Sequence, residues 1–361
     1  MNLTIVIPNR NRDLATVKRT LTSIGMQLGK DVNVVVVDYG SEPTYQEDLK
    51  TYIAALNGVT LIKCPTQGQL WQKTRAINIA LKQCDTPYFM VADMDMLFHP
   101  EFVTKIQEHL HSAEVTYFNV GILTEEESKL EKPFNEYQVK FYTNEEATGM
   151  TLFPTAILKE INGFDEFYHG WGSEDTDVHV RLRNQGISVH FNQEECLLLH
   201  QWHPKFYRSK ESTAPYHPAL ERVNFEYISL SRKHKKTYAN QGNEWGVLPN
   251  EKAYLALETP DVSIQCTGTL DAITAFCFQL SEGVWKGVVQ LTVQPHPDAK
   301  GIKTNVKKLL KKKTPLFIPL EEANAQLLET LIANHRNTPY TYSFDRKNEK
   351  IICTINLSSS L

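Results

Sequence analysis

Residues 34–41 read VVVVDYGS. Four β-branched side chains in succession leave no polar face. Such a run suits a strand buried on both sides, and a strand covered on both sides belongs to a parallel sheet. The run stops at Asp38, and Gly40 and Ser41 follow as turn residues. Outward from it the pattern repeats. Leu3 to Ile7 is a short apolar run ending at Pro8, and Leu14, Val17, Leu21, Ile24 and Leu28 then recur at helical spacing. Tyr45, Leu49, Tyr52, Ile53 and Leu56 mark a second helix, Val59–Ile62 a third strand, Ala76, Ile77, Ala80, Leu81 and Cys84 a third helix, and Tyr88–Val91 a fourth strand. Strand and helix in alternation predict right-handed crossovers and an α/β, Rossmann-like, doubly wound sheet.

Ligands of such sheets sit beyond the carboxyl ends of the strands. Polar residues gather there: Asn9, Arg10 and Arg12 after strand one, Asp38 after strand two, Asp93 and Asp95 after strand four. In VADMDMLF the two aspartates are two residues apart, and strand alternation would turn both to one face. Two converging carboxylates repel unless a cation lies between them, and Mg²⁺ or Mn²⁺ suits them; a plain strand-end turn is the alternative. His200, at the end of the apolar run in LLLHQWHP, would add an imidazole and favour Mn²⁺, with His203 as a competitor for that role. Arg75 and Asn78 lie on the third helix away from its apolar stripe, either as a solvated face or turned into the cleft; Lys82, a turn further, reads as solvated.

YHGWGSEDTDVHVRLRNQG, residues 168–186, looks like the start and body of another helix. Ser173 is placed as an N-cap, Val178 and Leu182 as the apolar stripe and Gly186 as the stop. Glu174 and Asp175 then fall in the first turn, where the helix dipole favours their ionised forms. Capping alone does not account for Gly170 and Gly172 around Trp171, which point to close approach or unusual torsions. An aromatic face beside carboxylates suits a sugar.

The net charge of −4 excludes a generally basic nucleic-acid binder. Six scattered cysteines without CxxC spacing fit a reduced, cytosolic setting. The N-terminus reads as a strand rather than a signal peptide, and no apolar run approaches the roughly 20 residues of a membrane helix. Residues 124–147 form an acidic stretch expected as a surface excursion. The character shifts near residues 238–246, so a domain over 1–240 and a small α+β module over 246–361 are expected. Within the module, Lys303, Lys307, Lys308 and Lys311–Lys313 read as a solvated helix or as a peripheral dock for anionic lipid, at the inner face of a membrane, or for an acidic glycan.

Six segments in this order, IVIPNRNR, VVVVDYGS, TRAINIAL, VADMD, GFDEFYHGWGSEDTDVHVRL and LLLHQWHP, resemble the inverting GT-A glycosyltransferases of family 2 type that carry a galactosyltransferase-type WGxED segment. The resemblance covers about residues 3–204. It implies a GT-A fold, a UDP-sugar donor and a saccharide acceptor. It implies Asp175 as general base, with Glu174 and Trp171 at the acceptor. Pro8, Asn9, Arg10, Asp38, Arg75, Asn78 and Asp93 would line the donor site. Asp95 and His200 would bind the metal, with Asp93 at its edge. Tyr39 stands where many relatives carry a second acid. A binding protein that has lost catalysis is the alternative; the intact acids and His200 weigh against it. The module after residue 246 matches no family named here.

Overall fold

The structure, a computed structural model, describes residues 2–108, 115–145, 149–204, 211–301, 310 and 314–358. The chain divides into two compact units. The first comprises Met1–Cys64, Trp71–Pro204 and Glu221–Leu248; the second comprises Pro65–Leu70, Lys205–Leu220 and Pro249–Leu361.

The first unit is built on a seven-stranded sheet. Its opening elements are β1 (Leu3–Asn9), α1 (Leu14–Gly25), β2 (Val32–Tyr39), α2 (Pro43–Ala54), β3 (Val59–Cys64), α3 (Lys73–Gln83) and β4 (Tyr88–Val91). After β5 (Met96–Phe98) and α4 (Phe102–Gln107) come β6 (Val115–Phe118), β7 (Gly121–Ile122), α5 (Glu125–Ser128), β8 (Phe141–Tyr142) and β9 (Thr151–Pro154). Then follow α6 (Thr155–Glu160), α7 (Glu174–Asn184), β10 (Val189–Asn192) and β11 (Leu198–His200). The strand order is β10-β6-β9-β4-β1-β2-β3, with β9 antiparallel to both neighbours and the other pairs parallel.

The valine run behaves as its composition dictates. Val34 and Val36 join one core layer with Leu3, Ile5 and Ile7 of β1 and with Val17, Leu21 and Ile24 of α1. Val37 joins the other, with Val6, Tyr39 and the apolar residues of α3, α6 and α7. Each such side chain, fully buried, contributes about 1.5–3 kcal/mol. Because β1 pairs with β2 on one side and β4 on the other, the strand order reverses there, and the carboxyl ends of β1 and β4 are where such sheets bind their ligands.

A second, four-stranded sheet, β5-β11-β7-β8, lies in the same unit. Its edge strand β8 comes from the acidic stretch 124–147. Leu97, Leu123 and Leu199 form a small core there with Phe134, Tyr137 and Val139. The Arg19 guanidinium donates to the carbonyls of Ser128 and Leu130. The stretch is therefore tied down at its root rather than a free excursion.

The segment between α6 and α7 is held by a buried ion pair. Arg181 and Asp177 are one turn apart on α7, both fully buried, with Nε to Oδ2 at 2.7 Å. Arg181 also donates to the carbonyls of Ile161 and Gly163, and Tyr168 donates its hydroxyl to Asp177. Gly163 has φ 65°, and a Cβ there would collide with Asn78 Oδ1 on α3. Only glycine fits both the torsion and the approach.

The second unit is a small α+β body. β12 (Val262–Thr267) and β13 (Val288–Gln294) are parallel, and β15 (Lys350–Asn356) and β14 (Tyr340–Asp345) continue the sheet antiparallel, in the order β12-β13-β15-β14. Its two longest helices among the described residues span Leu270–Ser281 and Leu320–Asn334. The lysines at 303, 307, 308 and 311–313 lie outside the described residues. All six cysteines are free, and among the described residues no helix is long and apolar enough to cross a membrane.

Removing one member of the Arg181–Asp177 pair leaves a buried charge uncompensated. Arg181→Met is expected to cost about 3–5 kcal/mol, read by urea or thermal unfolding. A variant as stable as the parent would show that the pair does not hold this segment.

Candidate active site

At the end of β1, Asn9 is buried and donates to Asp38 on β2 at 2.8 Å. Asp38 is fully buried and also accepts from Ser41 Oγ at 2.5 Å and Gln46 Nε2 at 2.7 Å. Pro8 is the penultimate residue of β1, and Arg10 is half-buried just beyond it. Pro8, Asn9, Arg10 and Asp38 thus lie at adjoining strand ends, and the Asp38 carboxylate is fixed by neutral donors.

Strand alternation does not govern the two aspartates of VADMD. β4 ends at Val91 and β5 begins at Met96, so Asp93 and Asp95 stand on the turn between them. They face different neighbours. Asp95 is buried; its Oδ2 lies 3.0 Å from Arg12 Nη2 and 3.3 Å from His203 Nε2, and its Oδ1 lies 3.5 Å from His200 Nε2. Burial works to raise its pKa, but His200, His203 and Arg12 outweigh it and hold the carboxyl well below the usual range. Each of Asp95, His200 and His203 offers a ligand atom within 4.8 Å of the others. Asp95 Oδ1 and His200 Nδ1 are buried with no hydrogen-bond partner, so the site holds unspent polar capacity. One carboxylate and two imidazoles suit a divalent cation. Both histidines belong to the set, rather than His200 alone, and Asp93 is outside it.

Asp93 instead meets Lys73, the first residue of α3, at 3.0 Å. The same ammonium lies 3.5 Å from Asp175 Oδ2 and 3.8 Å from Glu174 Oε1. Glu174 and Asp175 open α7. Ser173 does not cap it as its residue type suggests: it sits left-handed, with φ 70°, and its side chain makes no capping bond. Gly170 and Gly172 are also left-handed, with φ 69° and 104°, and a Cβ on Gly172 would meet nothing. Torsion, not crowding, calls for glycine at 172. The dipole does not decide the charge of the two acids either. Burial, then Asp175, raise Glu174 to about 7, with Lys73 pulling the other way. Burial raises Asp175, and Lys73 opposes the shift. For Lys73, burial works against the ammonium, but Asp175, Asp93 and Glu174 prevail and lift its pKa well above that of an ordinary lysine. Trp171 is 61% exposed beside this cluster in sequence.

Arg75 and Asn78 are not on a solvated face. α3 is buried around most of its circumference, and both residues are buried. Arg75 donates to the Val247 carbonyl at 3.2 Å. Asn78 donates to the Phe164 carbonyl and to Glu166 Oε1, and its own oxygen accepts from Phe164 N. Its amide is engaged in holding the loop before α7. Lys82 is exposed and stacks its ammonium over Trp245 at 3.8 Å. Lys73 and Arg12 are the site residues that periodicity misses. Arg12 falls in the motif IVIPNRNR, whereas Lys73 carries no signal beyond sitting just before TRAINIAL.

Two family models match the chain: glycosyl transferase family 2 over residues 4–158, and N-terminal domain of galactosyltransferase over residues 128–200. Among curated proteins, chondroitin sulfate synthase 3 of Mus musculus is 21% identical over 189 residues, 48% of this chain and 21% of its own length. Validoxylamine A glucosyltransferase of Streptomyces hygroscopicus subsp. limoneus is 24% identical over 231 residues, 53% of this chain and 50% of its own length. The chain thus spans half or less of these relatives. Among solved structures, S. aureus TarS 1-349 in complex with UDP-GlcNAc is 18% identical with a TM-score of 0.46, over 65% of this chain and 69% of that one. GalNAc-T7 with UDP, GalNAc and Mn2+ is 15% identical, also with a TM-score of 0.46, over 63% and 48%. The two models thus match residues 4–200 in succession, a glycosyl transferase family 2 model followed by a galactosyltransferase one, on the mostly parallel α/β sheet described above.

Proposed function

We propose that the chain transfers a hexose or N-acetylhexosamine from a UDP-sugar to a hydroxyl of a saccharide acceptor, with inversion, in polysaccharide or glycoconjugate synthesis. The observation that carries the reading is the turn between β4 and β5. Within three residues it presents Asp93 to the Lys73, Glu174 and Asp175 cluster and Asp95 to the two histidines. Acid–base groups and a cation-binding set are thus joined by one short turn.

In this reading Asp175 takes the proton of the acceptor hydroxyl as its oxygen attacks the anomeric carbon. The bond to the diphosphate breaks in the same displacement, and the nucleoside diphosphate departs. A base works best with a pKa near the operating pH, and the burial that raises Asp175 moves it that way. Glu174 and Trp171 position the acceptor. Pro8, Asn9, Arg10, Asp38 and Arg75 bind the donor, with Asp93 on the donor side of the cluster. Asn78 supports the loop instead. Asp95, His200 and His203 would hold Mn²⁺ in preference to Mg²⁺, and the ion would supply positive charge for the leaving diphosphate.

Asp175→Asn is expected to lower turnover about 10²–10⁴-fold, with the native fold checked by circular dichroism, when donor hydrolysis and transfer are followed with a panel of UDP-sugars. Near-parental turnover would remove Asp175 as base. Excess chelator is expected to stop transfer and Mn²⁺ to restore it. His203→Ala should raise the Mn²⁺ concentration needed by at least the roughly 10–100-fold that loss of an outer hydrogen-bond partner costs. Full activity in chelator would remove the metal.

Glu174 carries a stability signature as well. Its folded value of about 7 exceeds the ordinary 4.5, so ionising it costs stability as pH rises between those values. Glu174→Gln cannot ionise. It should melt higher than the parent at pH 8 and alike at pH 4, by differential scanning calorimetry. Equal melting at both would show that Glu174 is not buried as an acid.

A further inference from the structure

We propose that Lys73 is a positioning residue: its ammonium ties Asp175 on α7 to Asp93 on the β4–β5 turn and so fixes the base against the donor side of the site. The proposal rests on Asp175 being the base, as argued above. Four observations support it. First, the one ammonium contacts three carboxylates from two separate elements, at 3.0, 3.5 and 3.8 Å. Second, the Lys73 side chain is only 12% exposed, so solvent screens these pairs far less than pairs on the surface. Third, a cation on the first residue of α3 stands against the dipole of its own helix, which no local helix requirement explains. Fourth, a Cβ on Gly149 would lie 3.2 Å from Asp175 Oδ2, 3.6 Å from Asp93 Oδ2 and 3.7 Å from Lys73 Nζ, so a glycine leaves room directly over the cluster.

Without the ammonium, Asp93, Glu174 and Asp175 would face one another with no cation between them. Repulsion would splay the turn from α7, and the base would lose both its place and its charge. Lysine suits this better than a bidentate group, since its three donors can point to three acceptors at once.

The experiment compares the parent with Lys73→Met, Lys73→Arg and the charge-compensated double variant Lys73→Met with Asp93→Asn. The first readout needs no substrate: ¹³C NMR titration of the Asp175 side-chain carboxyl, assigned with Asp175→Asn. The groups facing that carboxyl are Lys73 from α3, Asp93 from the turn, Glu174 from its own helix and the Tyr117 hydroxyl from β6. Loss of an opposite charge at this range should raise the apparent Asp175 pKa by about 1–3 units in Lys73→Met and leave it near the parent in Lys73→Arg. An unchanged titration in Lys73→Met overturns the proposal. If Lys73→Met does not fold, the double variant is compared with Asp93→Asn alone, and an unchanged Asp175 titration between those two overturns the proposal. The second readout is turnover of whichever UDP-sugar the parent hydrolyses. The clamp predicts a kcat at least about tenfold lower with little change in donor KM, because an interaction realised only at the reacting geometry is lost. A rise in donor KM with kcat intact would make Lys73 a donor contact and overturn the clamp. A parent that hydrolyses no UDP-sugar would remove the proposed function, while the carboxyl titration would still decide the clamp.

Discussion

Burial of β1 and β2 on both faces governs the architecture. A strand with apolar side chains above and below must be covered twice, and only helices returning over alternate faces can cover parallel neighbours. α1 and α2 supply one layer and α3, α6 and α7 the other. Once the strands run parallel, their carboxyl ends finish together, and polar groups that cannot enter the layers accumulate there. Asn9, Asp38, Asp93 and Asp95 share a neighbourhood for that reason, before any chemistry is asked of them.

The second dependency is internal to α7. Its first turn carries acids toward the site, and its next turn is anchored by Asp177 and Arg181, whose guanidinium reaches back to the carbonyls of Ile161 and Gly163. A rigid helix start thus comes from a buried pair one turn away, not from a side-chain cap at Ser173. The site is preorganised by polar groups that never touch it.

Much of this was legible in the chain. Val34–Val37 announced a two-faced strand, and four strands alternating with three helices announced a doubly wound, mostly parallel sheet. His200 at the end of an apolar run pointed to the cation set. What escaped reading has a common physical cause. Periodicity places a residue on a face but does not say what covers that face. Arg75 and Asn78 lay off the apolar stripe of α3, as solvated residues do, yet the loop before α7 and the Val247 segment bury them. Strand alternation would turn Asp93 and Asp95 to one face, but the strand ends at Val91 and a turn sends them to different partners. Lys73 gave no pattern at all, because a single cation among distant acids becomes visible only once β4, α3 and α7 converge.

The burial of α3 changes what its sequence can tolerate. From Thr74 to Leu81 each successive side chain is buried. Tolerance to substitution on this helix therefore depends on distance along its axis rather than on angle around it. Its middle two turns behave like the interior of a larger protein, and freedom begins only at Lys82 and Gln83, where the helix emerges.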